Sequence, residues 1–267
     1  MNITLLANRD IASCLAVNYL LQGLQGHQLS LFLSARVGSK PLAAPLQHLK
    51  FVEQDLFNKL LFPLLPESKH AAGAELLGFD QLQGRFAGGV QELDVINTGA
   101  GLEKFAATEP DLVLSVRFGL ILREPALAVP GHGVLNLHSG HLPDYKGVMA
   151  TFWALLNGES EIGTTLHYID DSSIDAGRII ASTTLPVDRG KSYLGHVLAL
   201  YRDGCRQMVQ AVQTVEARSQ LPACTQAAPG NYYSFPTEAD LEAFTARGWR
   251  LYDPDDVLDL ARRFLAG

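Results

Sequence analysis

The sequence predicts an α/β fold: a mostly parallel sheet with helices on both faces, followed by a small C-terminal appendage. Three observations predict it. The first 34 residues run strand, helix, strand, with apolar Ile3–Ala7, a stretch at helical spacing from Ile11 to Leu24, and the strand-like QLSLFLS of Gln28–Ser34. A crossover helix between two such strands makes them parallel. DLVLSV, Asp111–Val116, is almost wholly apolar after the stop at Pro110, as expected of a central strand covered on both faces. From Ser192 onward, apolar residues recur every three or four positions through Val212, the stripe of a long helix lying on a sheet.

The remaining elements follow in order. The first helix begins after polar Asn8–Asp10 and is stopped by Gly26. Residues 41–89 mix amphipathic pieces, Leu46–Leu65 and His70–Leu77, with Pro and Gly, and read as helices and a loop. Ala100–Pro110 is a short helix, GVLNLH (133–138) a strand, and Thr151–Gly158 a helix ended by glycine. GTTLHYID (163–170) alternates as a strand does, and GRIIASTTLPV (177–187) is a second strand. Ser192 is the N-cap of the long helix. After Pro222 the composition turns to turn residues and clustered aromatics, and Thr237 and Asp253 open two short helices. The expected division is 1–219 and 220–267.

Composition excludes some functions. The 267 residues are 47% hydrophobic, enough for a sizeable core, and carry a formal net charge of -7. An acidic balance argues against a nucleic-acid partner, which needs a basic stripe. The three cysteines form no CxxC pair and read as reduced thiols. MNITLLANRD lacks the positively charged n-region of a signal peptide, its apolar run is interrupted by Asn8, Arg9 and Asp10, and no window reaches the ~20 apolar residues of a membrane span. A cytoplasmic location without a membrane partner is expected.

Candidate chemistry concentrates in VLNLHSGHLPDYKG, residues 134–147. Asn136 and His138 stand two apart at the carboxyl end of a strand, so they share a face, where open sheets bind ligands. An amide can donate to a developing oxyanion, and an imidazole can take a proton near neutral pH. A third group should orient that base, and DDSSIDAG offers Asp170, Asp171 and Asp175. The bland alternative is a turn-capping Asn beside a core His. His138, His141 and Asp144 have ligand-like spacing, but Pro143 blocks a shared helix face and a fourth ligand is missing, so no metal is expected.

NLHSGHLPDYKG followed by FWALLNGESEIGTTLHYIDDSSIDAGRII resembles the formyltransferases that use 10-formyltetrahydrofolate. The elements that carry the likeness are Asn136 and His138, Leu142-Pro143, Tyr145-Lys146-Gly147, Gly163-Thr164-Thr165 and Asp175, over about residues 111–186. Two departures stand out: Ser139-Gly140-His141 is more polar than usual, and one extra residue separates His167 from Asp175. The resemblance implies a Rossmann-like catalytic domain over 1–219. It implies Asn136, His138 and Asp175 as the catalytic set, with Asp170 or Asp171 as substitutes if the alignment slips. It implies a donor pocket made by Phe118, Gly119, Leu120 and Leu122, largely through main chain, and by the Ile169, Asp170 and Asp171 loop. Tyr145 and Lys146 would shape the entrance. Apart from the resemblance, the aromatic cluster Tyr232, Tyr233 and Phe235 is expected to anchor the appendage to the core, since aromatics most often serve burial, with stacking on a base or ring as the alternative.

The implied reaction moves a formyl group from 10-formyltetrahydrofolate to a primary amine of a small-molecule acceptor. Where relatives acting on a ribonucleotide carry a Gly/Ser-rich phosphate loop, this chain has ANRDIAS, with Asp10 set to repel phosphate. The short segment after Leu221 and the acidic charge speak against tRNA. An amino sugar nucleotide or a specialised-metabolism amine such as N-hydroxyornithine remains. The alternatives are a formyltetrahydrofolate hydrolase and a folate-binding protein without turnover.

Overall fold

The structure is a computed structural model and describes residues 1–35, 42–66, 74–217 and 220–265. Five strands run parallel in the order β3 (Val90–Glu92), β2 (Gln28–Ser34), β1 (Asn2–Asn8), β4 (Leu112–Val116) and β5 (Val134–His138). An antiparallel pair, β7 (Glu161–Tyr168) and β8 (Ile179–Pro186), completes the sheet beside β5. The predicted α/β, mostly parallel sheet is therefore what the chain forms.

Alternation along the strands divides the core. Ile3, Leu5, Leu31, Leu114, Leu135 and Leu137 pack on one face, where α1 (Ile11–Gly23) and the 24-residue α5 (Tyr193–Glu216) lie. Leu6, Phe32, Val113 and Val134 pack on the other, with Phe105 of α3 (Gly99–Ala106). By the period of two, Asn136 and His138 share the face of Val134, and Ser115 shares that of Val113. The polar residues thus crowd the carboxyl ends of one face. The predicted cap at α5 is present, Ser192 Oγ accepting from Gly195 N, and at α1 Asp10, not anticipated as a cap, accepts from Ser13 N.

Residues 41–89 depart from the sequence reading in two places. Leu46–Leu65 is helical, but α2 (Ala44–Lys50) widens into a π-type winding over Phe51–Leu61, where Phe62 N donates five residues back to Phe57 O. In His70–Leu77, residues 70–73 lie outside the described residues and 74–77 form no helix. The reason is visible at Leu77. Its N–H donates to Asn18 Oδ1 and its carbonyl accepts from Asn18 Nδ2, both at 2.9 Å, so α1 takes the bonds a helix would have used. The strand β3 was not anticipated.

Beyond α5 the chain returns to the core. β9 (Tyr232–Tyr233) pairs with β6 (Lys146–Gly147), the short strand before α4 (Ala150–Asn157). α6 (Glu238–Ala246) opens with a Thr237/Asp240 capping box and α7 (Pro254–Phe264) with Asp253 as cap. Phe244 stacks on Phe152 of α4 with ring centroids 4.3 Å apart. No helix among the described residues is long and apolar enough to cross a membrane.

Candidate active site

Strand β5 sets the site. Its Asn136 is half-buried and lies opposite His167 of β7 in the antiparallel register. His138 is buried, two residues on. After β7 the chain passes through a loop to Asp175, which adopts φ 50°, and returns along β8. That loop carries Asp175 back over the strand ends. One carboxylate oxygen, Oδ2, lies 3.5 Å from His138 Nδ1, and the other, Oδ1, lies 3.5 Å from His167 Nε2. Gly147 N donates to Oδ2 at 2.8 Å.

The hydrogen bonds fix the protons. His138 Nε2 meets the Tyr145 carbonyl at 2.6 Å, and a carbonyl only accepts, so Nε2 carries hydrogen and Nδ1 is the basic nitrogen. His167 Nδ1 donates to the Tyr168 carbonyl at 2.8 Å, so in the neutral ring Nε2 accepts. It accepts from Asn136 Nδ2 at 3.1 Å, which turns the amide nitrogen, not its oxygen, toward this corner. Burial pushes the Asp175 carboxyl up, but positive charge on His138 and His167, when they carry it, and the Gly147 N–H outweigh burial and hold it at about 2. Asp175 is therefore ionised at neutral pH, between two imidazoles.

These groups line a cavity of about 470 Å³. Phe118, Gly119, Leu120, Leu122, Ile169 and Asp171 line it as well, and the first four follow β4. Gly119 N donates to Ser34 Oγ at 2.8 Å, which pins that turn to β2. Asp171 Oδ1 accepts from Ser173 N at 2.7 Å and so shapes the covering loop. Asp170 is a correction. It is absent from the cavity wall and turns outward, where Arg178 Nη2 donates to it at 2.8 Å and holds its carboxyl low.

Lys146 is a second correction. Expected at the entrance, it is buried, and its Nζ donates to the Pro229 carbonyl at 2.8 Å. Of the aromatic cluster, Tyr233 stacks between Tyr145 and Trp153, with centroids at 5.5 and 5.0 Å, as an anchor would. Tyr232 is exposed and lines the cavity with Phe235. His141 Nε2 bonds the Thr183 carbonyl at 3.0 Å. Among the described residues no group of three His, Cys, Asp or Glu could hold a metal ion.

The far end of the cavity is lined by Asn8, Glu53 and Arg117. Asp10, fully buried, accepts from Asn8 Nδ2 at 2.9 Å and from Arg117 Nε at 3.0 Å, besides capping α1. Arg117 Nη2 also reaches Glu53 Oε1 at 3.4 Å. Burial lifts the Glu53 carboxyl to about 7 despite that guanidinium. Sequence reasoning missed His167, Glu53 and Arg117 as site residues. Only His167 left a signal, an imidazole within an alternating strand.

Residues 98–203 match the family model described as Formyl transferase. The methionyl-tRNA formyltransferase of Halalkalibacterium halodurans is 37% identical over 98 residues, 37% of this chain and 31% of that protein. That of Geobacter sulfurreducens is 34% identical over 92 residues, 34% of this chain and 29% of that protein. The chain thus spans about a third of the curated relatives it matches. Among solved structures, WlaRD, a sugar 3N-formyl transferase crystallised with dTDP and 5-N-formyl-THF, aligns with TM-score 0.55 and 17% identity over 87% of this chain and 69% of that one. Glycinamide ribonucleotide transformylase 1 from Symbiobacterium toebii aligns with TM-score 0.56 and 16% identity over 84% and 92%. At such identities the likeness establishes the fold.

Proposed function

We propose that this chain, whose residues 98–203 match the formyl transferase family model, transfers a formyl group from 10-formyltetrahydrofolate to a primary amine of a small-molecule acceptor. The observation that carries this reading is the meeting of Asn136, His138 and Asp175 at one wall of a cavity whose adjoining wall is apolar. The residues fit the donor. Phe118, Leu120, Leu122 and Ile169 offer an apolar slot for a flat ring, and about 470 Å³ is within the ~300–1,000 Å³ of small-molecule sites.

When bound, the donor supplies the formyl carbon, whose bond to the donor nitrogen breaks as its bond to the acceptor nitrogen forms. Asn136 presents the amide N–H that His167 does not take to the oxygen where negative charge gathers. One such donor is worth about 10²–10³ in rate, roughly 3–4 kcal/mol. His138 accepts the acceptor's proton at Nδ1, the nitrogen not bonded to Tyr145, and returns it to the departing nitrogen, an effect worth ~10²–10⁴. Asp175 stays ionised beside Nδ1 and stabilises the imidazolium formed in between.

The far end of the cavity bears on the acceptor. A helix N-terminus can hold phosphate, but at α1 the chain's own Asp10 carboxylate occupies that place and is neutralised by Arg117. This supports an acceptor that puts no phosphate there: an amino sugar whose nucleotide lies elsewhere, or an amine such as N-hydroxyornithine. The net charge of -7 supports a small molecule over a nucleic acid. The test is loss of 10-formyltetrahydrofolate with purified protein, alone and with pooled amines that include sugar nucleotides, ornithine derivatives and glycinamide ribonucleotide. Loss only with amines is expected, and splitting the pool names the acceptor. Equal loss without amines would replace transfer by hydrolysis.

A further inference from the structure

The residues that converge on the cavity do not hold themselves in place. Asp175 adopts φ 50°, a left-handed conformation that a non-glycine residue keeps only when its surroundings impose it. Two sets of contacts impose it: the first comes directly from a stretch beyond the family-matched residues 98–203, and the second is made by Gly147 within them and backed by that same stretch. The first acts on the Asp175 main chain. Gln226 Nε2 donates to the Asp175 carbonyl at 2.8 Å and to the Gly177 carbonyl at 2.9 Å. The stretch is docked there by Cys224, whose N–H and C=O exchange 2.8 Å bonds with Ile179 at the start of β8. The second acts on the carboxylate. The Gly147 N–H that binds Asp175 Oδ2 belongs to β6, and β6 is paired with β9. Lys146 N donates to Asn231 O and Val148 N to Tyr233 O, both at 2.9 Å, on either side of Gly147. The fit leaves no slack, since a Cβ on Gly147 would come within 2.2 Å of Tyr233 O.

We propose that residues 224–233 form a clamp on the reactive carboxylate, with Gln226 as a positioning residue that holds the Asp175 backbone while β9 holds the Gly147 N–H against its side chain. This rests on the reading of Asp175 as the partner of His138. It gives the C-terminal stretch a task in catalysis. The matched domain carries the reacting groups, and the segment after α5 closes around them and sets their geometry. Gln226 is not among the residues that line the cavity. Its two N–H bonds end on main-chain carbonyls, so its loss acts through Asp175.

The decisive variant is Gln226→Met, which keeps side-chain length and removes both donors. The readout is carbon-13 NMR of the Asp175 carboxyl, titrated from pH 6 to pH 3 in the unliganded full chain. It needs no acceptor, so failure of the formyl-transfer reading would not disturb it. In the wild type the signal should stay that of a carboxylate. In Gln226→Met the midpoint should rise by about one unit, and turnover should fall about tenfold with KM little changed. Gln226→Arg, which restores N–H donors, should recover both. A folded Gln226→Met protein with wild-type titration and turnover would overturn the clamp. If that variant does not fold, hydrogen exchange of the wild type decides. Residues 224–233, Gly147 and the Asp175 loop should open together, and exchange of 224–233 while Gly147 stays protected would overturn the clamp instead.

Discussion

Asp175 and Glu53 are carboxylates of one cavity, and their environments push them in opposite directions. Asp175 sits between two imidazoles and a backbone N–H and is held at about 2. Glu53 shares one guanidinium with Asp10, is largely withdrawn from water, and rises to about 7. The difference lies in what each faces. Around Asp175, two groups keep hydrogen-bonding capacity for the cavity: the second N–H of Asn136 and the bare Nδ1 of His138. At the other end, Arg117 and Asp10 spend their bonds on each other and on the α1 cap. Burial with spare capacity makes a reactive corner, whereas burial with capacity spent makes a wall.

That contrast can be broken at either end. The largest effect is expected from His138→Ala, which should lower turnover by about 10²–10⁴ while the protein still binds the donor. Asp175→Asn should follow, with a smaller loss than His138→Ala, from an imidazolium left without its partner. It should also change acid stability. The lowered value means that the Asp175 contribution is fully present above about pH 4 and lost as the pH falls toward about 2, so in Asp175→Asn that part of the acid decline should vanish from denaturation curves.

Glu53→Gln should act with the opposite sign and mainly on stability. Between about pH 4.3 and 7 the folded protein keeps a proton on Glu53 that the unfolded chain has lost, so stability declines as pH rises through that window. Glu53→Gln should flatten this slope and stabilise the protein at pH 8 by on the order of 1 kcal/mol, read from urea midpoints. A wild-type slope surviving in the variant would place the titrating group elsewhere. Asp170→Asn should be the smallest. Its partly exposed pair with Arg178 is worth ~0–1 kcal/mol, and donor affinity should stay within about twofold.

The same contrast separates what was legible in the sequence from what was not. Asn136 and His138 were legible because a strand has a period of two and its carboxyl end meets the crevice. The parallel strands, the long helix and the helix starts at Ser192, Thr237 and Asp253 were legible because apolar spacing and capping chemistry are local. His167 became a partner of Asn136 only through the antiparallel register of β5 and β7, which no local pattern specifies. Glu53 reached the cavity on a π-type winding that a helical pattern does not distinguish. Lys146 read as an entrance residue because a carbonyl eighty-three positions away, at Pro229, could not be foreseen.

The central claim is that Asn136 acts on the oxygen of the formyl group and not on binding of the donor. The most direct test measures turnover and donor Kd on the same preparation of Asn136→Ala. The account predicts turnover lower by about 10² or more, with Kd within a few-fold of wild type. Turnover within a few-fold of wild type, or a loss matched by an equal loss of donor affinity, would contradict it.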